Sequence, residues 1–166
     1  MPLLSRSKLT EPMKKMMDKY NGIGSFNDGF VLVRAEVNDE LDIYGYINEE
    51  GYEVVPLKYD YAKRFKEGLA EIVIGDKFGF IDKHLNEYFF VDGKSVGSEG
   101  CVVYYIKYED VIVFKIVSYL PILTISRFFG TKENIIKDIR KVHGENQYAK
   151  EYIDCIEEIE KELLMK

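Results

Sequence analysis

The feature that most constrains the fold of this chain is an internal repeat between residues 26 and 91. Residues 26–33 (Phe-Asn-Asp-Gly-Phe-Val-Leu-Val) have a counterpart 39 positions later, in residues 65–72 (Phe-Lys-Glu-Gly-Leu-Ala-Glu-Ile). Residues 44–48 (Tyr-Gly-Tyr-Ile-Asn) have a counterpart 34 positions later, in residues 78–82 (Phe-Gly-Phe-Ile-Asp). Because each copy of a repeat is one supersecondary unit, the pattern predicts two similar units. The difference of five residues predicts a longer acidic loop in the first copy, around residues 38–42.

Glycines occupy two kinds of position in each copy. Gly29 and Gly68 follow an aromatic and an acidic residue and precede an apolar run, which predicts a tight turn with positive φ that begins a strand. Gly45 and Gly79 each lie between two aromatic rings, which project from the same face of a strand. The opposite face is then bare, so another backbone or ring can approach it closely.

The pattern resembles the WG-repeat family, a bacterial family of β-rich repeats. Residues 65–70 (Phe-Lys-Glu-Gly-Leu-Ala) and 76–82 (Asp-Lys-Phe-Gly-Phe-Ile-Asp) fit that family closely. Residues 54–60 (Val-Val-Pro-Leu-Lys-Tyr-Asp) supply the closing segment of the first copy. The resemblance implies a β-rich repeat fold, and it carries over no catalytic residues.

The chain departs from the family pattern at two places. It contains no tryptophan, and Tyr44 and Phe78 occupy the tryptophan positions. Residues 84–87 (His-Leu-Asn-Glu) of the second copy lack the expected turn glycine. Replacement of one aromatic residue by another preserves a packing role for these positions.

The segment before the repeats, residues 1–21, predicts a short helix. Thr10 can cap it, Pro12 falls in its first turn, and Asn21 followed by Gly22 ends it. Apolar residues recur at helical spacing in this segment: Met13, Met16, Met17 and Tyr20.

The Gly/Ser-rich residues 93–100 predict a boundary or long loop after the repeat region, residues 22–92. Residues 101–108 and 111–117 are rich in β-branched and aromatic side chains, and the intervening Glu-Asp pair indicates a hairpin. Each of these two runs contains a single charged residue, a lysine, so we expect both strands to be covered over much of both faces.

Beyond the hairpin the sequence predicts one short strand and two helices. Leu120 and Pro121 end the preceding strand or move the chain to a sheet edge, and apolar residues at 122, 123 and 125 allow the short strand. Thr131 can cap the first helix, which Gly144 ends, and the second helix extends from about residue 145 to residue 164. The second helix has a continuous apolar stripe: Tyr148, Tyr152, Cys155, Ile156, Ile159 and Leu163.

The predicted fold class is therefore α+β. A β-rich repeat meander precedes a β-hairpin and two C-terminal helices, with a short helix at the N-terminus. The final part, residues 101–166, forms either a separate part or one continuous domain with the repeats. Since two repeats leave open ends, we expect the N-terminal helix and the C-terminal half to cap them.

Composition excludes several classes of protein. The net charge of −6 argues against general nucleic-acid binding, which requires a basic face. The longest charge-free run in the C-terminal half, residues 116–126, is too short to span a bilayer, and no secretory signal begins the chain. Two cysteines, Cys101 and Cys155, cannot form a disulfide framework. These features predict a cytoplasmic protein without membrane insertion.

No catalytic constellation is evident. His84 falls in a turn between repeat strands, and His143 lies at a helix end where its imidazole favours the carbonyl dipole. Neither histidine has the spacing of a nucleophile–base pair with a cysteine. Residues 93–95 (Gly-Lys-Ser) resemble the end of a phosphate-binding loop, but Tyr88 replaces its required glycine. We predict no catalytic residue, no metal site and no cofactor.

The last helix carries most of the net charge. Residues 145–166 contain seven acidic residues and three lysines, a local charge of −4, and Glu157 and Glu158 should point away from the apolar stripe. This charge favours either an ordinary solvated helix face or a surface that binds a basic protein.

Three functional hypotheses follow. Repeats without a catalytic constellation favour a non-enzymatic protein-interaction or scaffolding module with another protein as its partner. The alternatives are an immunity-type inhibitor that neutralises a basic toxin through the acidic helix, and a hydrolase that uses His84 or His143. The candidate binding residues are Tyr44, Tyr46, Phe78, Phe80, Glu157 and Glu158; at the four aromatic positions a core role is the alternative to ligand stacking.

Overall fold

The computed structural model describes residue 11 and residues 14–15, 18–97, 100–119 and 124–166. The chain divides into two compact units, Met1–Phe89 and Phe90–Lys166. Antiparallel sheets dominate both units, and two helices follow the last strand, so the predicted α+β class is confirmed. No helix in the described part of the chain is long and apolar enough to cross a membrane.

Little of the predicted N-terminal helix can be assessed. Residues 11, 14 and 15 are helical, whereas Thr10, Pro12 and the three methionines at 13, 16 and 17 lie outside the described residues. The prediction that this helix reaches Tyr20 is wrong, because Asp18 and Lys19 form a turn and Tyr20 has no regular structure.

The first unit contains two four-stranded meanders, one for each copy of the repeat. The first sheet has the order β1-β2-β3-β4, formed by Gly22–Asn27, Phe30–Asn38, Leu41–Asn48 and Glu53–Tyr59. The second has the order β5-β6-β7-β8, formed by Tyr61–Ala62, Leu69–Ile74, Lys77–Asp82 and Glu87–Phe89. All neighbouring strands in both sheets are antiparallel, as expected for hairpin-connected strands.

The Phe-x-acid-Gly motif forms the same turn in both copies. Asp28 and Gly29 have φ values of 51° and 94°, and Glu67 and Gly68 have values of 54° and 79°. Positive φ at both central residues is the geometry of a type I′ hairpin turn, whose twist matches that of the flanking strands. The two turns also meet, because the Asp28 carboxylate accepts a hydrogen bond of 2.9 Å from the backbone N–H of Gly68.

The glycines between the aromatic rings allow a close approach of neighbouring strands. A Cβ atom at Gly45 would lie 2.6 Å from the carbonyl oxygen of Val55. At Gly79 the same atom would lie 1.8 Å from the carbonyl oxygen of Tyr88. The prediction that another backbone approaches the bare face is therefore confirmed in both copies.

The turn after the third strand is also conserved in geometry between the copies. The side chain of Asn48 accepts hydrogen bonds from two backbone N–H groups, two and four residues later, and Asp82 does the same in the second copy. Gly51 has a φ of 84°, and its counterpart Leu85 has a φ of 67°. The second copy thus keeps the turn without glycine, with a leucine in the left-handed region.

The second unit begins with a sheet of order β12-β11-β10-β9. Its strands are β9 (Asp92–Val96), β10 (Cys101–Tyr108), β11 (Val111–Tyr119) and β12 (Thr124–Thr131). The predicted hairpin is confirmed, since Tyr108 pairs with Val111 across the Glu109–Asp110 turn. Residues 113–118 of β11 are all buried, which confirms coverage on both faces for that strand, whereas in β10 only Cys101 and Val103 are buried. Leu120, Pro121 and the apolar residues 122 and 123 lie outside the described residues.

The prediction of a long loop over residues 93–100 is wrong for its first half. Residues 92–96 pair with residues 101–105, and residues 97 and 100 lie in turns. Gly93 lies opposite Tyr104, and a Cβ atom there would come within 2.9 Å of the Tyr104 ring. A glycine in this strand therefore provides space for a cross-strand ring and does not mark a loop.

Two helices complete the second unit: α1 (Lys132–His143) and α2 (Gln147–Leu164). Thr131 occupies the N-cap of α1 as predicted, although its side chain accepts from the Asn134 side chain and not from the backbone. The helices cover one face of the sheet. Their buried core contains thirteen residues: Val96, Cys101, Val103, Phe114, Ile116, Phe128, Ile135, Ile139, Ala149, Tyr152, Cys155, Ile156 and Ile159.

Candidate interaction surface

Two of the four candidate aromatic residues lie in the core. The side chain of Tyr46 is fully buried, its hydroxyl donates a 2.6 Å hydrogen bond to the Lys63 carbonyl oxygen, and its ring contacts Phe65 edge-on at 5.1 Å. Burial, reinforced by the nearby Glu71 carboxylate, raises the pKa of Tyr46 well above its ordinary value. Phe80 is also fully buried and stacks on another ring. These two side chains are not available to stack on a ligand.

The other two candidate aromatic residues are half-buried. Tyr44 packs against the repeat core and contacts the ring of Tyr61 edge-on at 5.9 Å, and Tyr61 is 45% exposed. Phe78 occupies the equivalent position of the second copy and is also half-buried. In each copy, therefore, the first aromatic residue is half-buried and the second lies in the core.

The acidic face of α2 is partly neutralised by cations of its own unit. Glu157 and Glu158 are exposed and point away from the apolar stripe, as predicted. The Lys94 amine on β9 lies 3.0 Å from Glu158 and 3.2 Å from Glu162, and hydrogen bonding to these carboxylates raises the pKa of Lys94. Glu160 forms an ion pair with a lysine of α1. The outermost helix positions carry both signs of charge: Lys150, Asp154, Glu157 and Lys161.

The hairpin between β2 and β3 is longer than its counterpart between β6 and β7. In the second copy Ile74 pairs with Lys77, and only Gly75 and Asp76 connect them. In the first copy the equivalent pair is Ala35 and Ile43, and seven residues, 36–42, connect them. We call these seven residues the β2–β3 extension. The predicted longer acidic loop is thus a prolongation of the hairpin.

The β2–β3 extension presents apolar and acidic side chains together. Val37 and Leu41 are 56% and 44% exposed, and Val37 lies where the strand register shifts. The extension also contains four acidic residues and no lysine or arginine: Glu36, Asp39, Glu40 and Asp42. Arg34, at the base of the extension, holds Asp42 in an ion pair of 3.0 Å. The β2–β3 extension is therefore an exposed surface on which carboxylates border two apolar side chains. It has no counterpart in the second copy of the repeat.

The side chains of His143, Cys101 and Cys155 serve packing, whereas the His84 side chain is exposed. The rings of Phe128, Tyr148 and Tyr152 surround the His143 imidazole, each with its centroid 5.9 Å away. The Cys101 sulfur lies 3.2 Å from the Tyr152 hydroxyl. Burial raises the pKa of the Cys155 thiol to about 11, which disfavours a thiolate. Among the described residues no group of three or more histidine, cysteine, aspartate or glutamate side chains is arranged to hold a metal ion.

A cleft in the second unit has a volume of 370 Å³. It lies at the open end of α2, where Lys132 and Glu160 form an ion pair across it and Leu163 forms part of its wall. Three further charged residues line the cleft: Lys107, Asp110 and Glu133.

A repeated contact set that the sequence analysis missed lies before β1. The Lys19 amine and the Tyr20 hydroxyl both reach one oxygen of Glu53, at 2.8 Å and 3.0 Å. Asn21 donates its backbone N–H to the Arg34 carbonyl oxygen, and its side chain accepts from the backbone N–H of Glu36, both at 2.9 Å. The ring of Tyr20 packs on three apolar side chains: Val31, Val33 and Ile47. We call the groups that contact Lys19, Tyr20 and Asn21 in this way the first slot.

The second copy contains the same environment, which we call the second slot. The Lys58 amine lies 2.5 Å from an oxygen of Glu87, and the Tyr59 hydroxyl donates to the same oxygen. Asp60 donates its backbone N–H to Val73 at 2.9 Å and accepts from the backbone N–H of Gly75 at 2.5 Å. The ring of Tyr59 lies in a cluster with Ala70, Ile72 and Ile81.

The two slots are related by the spacing of the repeat. Lys19, Tyr20 and Asn21 lie 39 positions before Lys58, Tyr59 and Asp60, and Glu53 lies 34 positions before Glu87. The repeat therefore begins at residue 19 and not at residue 26. The signal was present in the sequence as a shared Lys-Tyr-Asx triplet at the same offset, but the methionine spacing assigned Tyr20 to a helix.

Residues 44–78 match the model of a protein family described as WG containing repeat. The match starts and ends at the two positions where the family pattern places its tryptophan, so it spans one period. The resemblance seen in the sequence is thereby confirmed over this segment, and the region is a β-repeat. No curated protein and no solved structure matches the chain.

Proposed function

We propose that this protein is a non-enzymatic interaction module that binds another protein through the β2–β3 extension. The observation that carries the proposal is the comparison between the two copies of the repeat. The second copy closes the same hairpin with two residues, so the seven residues of the extension are not required by the repeat fold. Such an addition is free to serve recognition, as connecting segments on a rigid scaffold commonly do.

The composition of the extension indicates the kind of partner. Exposed apolar side chains at Val37 and Leu41 supply area that a partner can bury, and the surrounding carboxylates favour a basic rim on that partner. We therefore expect a protein with an apolar spot bordered by lysine or arginine. Association should weaken as the salt concentration rises, since exposed charges are screened.

The experiment replaces residues 36–42 with the Gly-Asp pair of positions 75 and 76. The second copy shows that this connection closes the hairpin, so the variant should fold. Tagged wild-type and variant proteins are incubated with lysate of the source organism at low and moderate salt, and captured proteins are identified by mass spectrometry. We expect one stoichiometric partner with the wild type and its loss with the variant. Retention of the partner by the variant, or no partner for either protein, would contradict the proposal.

A matched pair of variants separates the two contributions. Val37→Ser combined with Leu41→Ser removes the apolar side chains and keeps the charge, whereas Asp39→Asn combined with Glu40→Gln does the reverse. The first pair should weaken binding at all salt concentrations. The second pair should weaken it mainly at low salt and reduce its salt dependence.

The second candidate is an immunity-type inhibitor of a basic toxin. It rests on the local charge of −4 in residues 145–166 and on the exposure of Glu157 and Glu158. Reversal of both charges to lysine should abolish inhibition of such a toxin. The ion pairs that Lys94 makes with this helix reduce the surface charge available, which is why we place the extension first.

We also propose a cytoplasmic location. Both cysteines, Cys101 and Cys155, are free and buried in the second unit. Free thiols are typical of reducing compartments. Fractionation of source cells with an antibody against the protein tests this location.

A further inference from the structure

The two slots hold chemically equivalent triplets, Lys19–Asn21 and Lys58–Asp60, with equivalent atoms. We propose that the slot is a recognition site for Lys-Tyr-Asx segments, and that the first slot accepts such a segment from a second polypeptide that carries the same repeat. The proposed function above uses the side chains of the β2–β3 extension; this inference does not depend on them.

Each part of the triplet has its own recognition chemistry. The lysine amine and the tyrosine hydroxyl converge on a single carboxylate oxygen, of Glu53 or of Glu87, so a segment that carries both donors makes two charge-assisted hydrogen bonds there. The tyrosine ring fills an apolar depression, and only 7% of Tyr20 remains exposed. The third residue requires a side-chain oxygen as well as its backbone N–H, which limits it to a short polar residue.

The slot does not depend on the structure that precedes its occupant. Lys58 and Tyr59 are the last two residues of strand β4. Lys19, by contrast, lies in a turn after helical residues at positions 14 and 15. Two different leading structures thus deliver the same triplet to the same contacts. Recognition therefore belongs to the triplet and the slot, so a triplet on another chain meets the same requirements.

The partner's chemistry follows from these contacts. A second repeat protein supplies a cation for Glu53, a ring for the depression lined by Val31, Val33 and Ile47, and an Asx side chain for the backbone N–H of Glu36. It must displace Lys19–Asn21, which has the advantage of covalent attachment. Asn21 directly precedes β1, whose first residue Gly22 pairs with Arg34, so the attached triplet is held at the slot. Binding in trans is therefore expected when the attached triplet is weakened.

The test uses the full chain with Tyr20→Ala and a synthetic peptide with the sequence of residues 18–24 (Asp-Lys-Tyr-Asn-Gly-Ile-Gly). Binding is followed by NMR shifts and by the melting temperature. We expect saturable binding to the variant, at least tenfold weaker binding of a peptide with alanine in place of tyrosine, and the same loss when Glu53→Gln is added to the chain. If Tyr20→Ala unfolds the first unit, the peptide should restore its circular dichroism signal.

Absence of binding and of rescue at roughly 10 mM peptide overturns the proposal. Equal binding of the alanine peptide also overturns it. Asp60→Asn gives the second slot the triplet of the first and should leave the melting temperature unchanged, whereas Asp60→Ala should lower it. Equal losses for both variants would show that the slot does not read the Asx oxygen. The variant with the shortened β2–β3 hairpin should bind the peptide normally, so this outcome is independent of the proposed function.

Discussion

Gly79→Ala should be one of the most destabilising single substitutions in the first unit. A Cβ atom at this position would lie 1.8 Å from the carbonyl oxygen of Tyr88, whereas Cβ atoms in proteins keep at least 3.0 Å from other heavy atoms. Strands β7 and β8 must therefore separate by about 1.2 Å. A separation of that size stretches an interstrand hydrogen bond beyond its useful range, because such bonds are about 2.9 Å long.

The cost can be worked from those broken contacts. Gly79 pairs with Phe89, and the neighbouring Phe80 pairs with Tyr88. Loss of one or two buried hydrogen bonds costs about 1–3 kcal/mol each, and forced overpacking costs a similar amount. We expect Gly79→Ala to lower the free energy of unfolding by about 3 kcal/mol or more. The smaller overlap at Gly45, where the nearest oxygen lies at 2.6 Å, predicts a smaller loss.

Urea denaturation of the full chain, followed by circular dichroism and tyrosine fluorescence, measures these differences. Gly75→Ala is the matched control, since its φ of 60° imposes backbone strain of about 1–2 kcal/mol but no atom lies within 4 Å of the new Cβ. The expected order of loss is Gly79 first, followed by Gly45 and Gly75 at smaller values. A loss at Gly79 no larger than that at Gly75 would refute the close-approach argument.

Three further predictions concern the same unit. The hydrogen bond from Lys19 lowers the pKa of Glu53 below 4.5, and at Glu87 hydrogen bonds from Lys58 and Tyr59 outweigh burial, which by itself would raise the pKa. Because the unfolded chain then binds more protons in acid, this stabilisation is complete above about pH 4.5 and is lost as the pH falls through the folded pKa values. Acid titration of stability should show a shallower loss in Glu53→Gln and Glu87→Gln. Gly51→Ala, at a φ of 84°, should cost about 1–2 kcal/mol in urea denaturation, and a neutral result would contradict the left-handed requirement. Tyr46→Phe should cost about 1 kcal/mol through loss of its buried hydrogen bond, and an unchanged midpoint would argue against that bond.

Local chemistry explains which features the sequence predicted correctly. The hairpin turns at Asp28–Gly29 and Glu67–Gly68 depend on residues that tolerate positive φ, and this tolerance is a property of the individual residues. The bare faces at Gly45 and Gly79 follow from the absence of a side chain. The two C-terminal helices follow from apolar residues at a period near 3.6.

Two predictions were wrong because the same sequence pattern is compatible with two different structures. The glycine at position 93 reads as a loop, but in the structure it gives space to the ring of Tyr104 on the adjacent strand. Tyr20 continues a helical spacing of methionines, but in the structure it fills a depression equivalent to the one that Tyr59 fills in the second copy. In both cases the deciding contact is with a residue on another strand, which a local pattern does not contain.

For the candidate site, too, the sequence predicted some features and only the tertiary structure showed the others. Sequence alone located the five-residue difference between the copies, the four aromatic positions and the exposed acids Glu157 and Glu158. Tertiary structure decided that Tyr46 and Phe80 are buried while Val37 and Leu41 are exposed, and that Lys94 neutralises part of the acidic helix.

The sequence by itself determined the repeat, its turns and the class of fold, because these depend on backbone preferences and on periodicity within a few residues. Only the tertiary structure decided where the repeat begins, which rings are covered and which charges are paired. Those properties depend on contacts between residues that are 15 to 68 positions apart, such as Asn21 with Glu36 and Lys94 with Glu162. Such residues come into contact only when the chain folds. A sequence pattern that extends over a few residues therefore does not reveal these contacts.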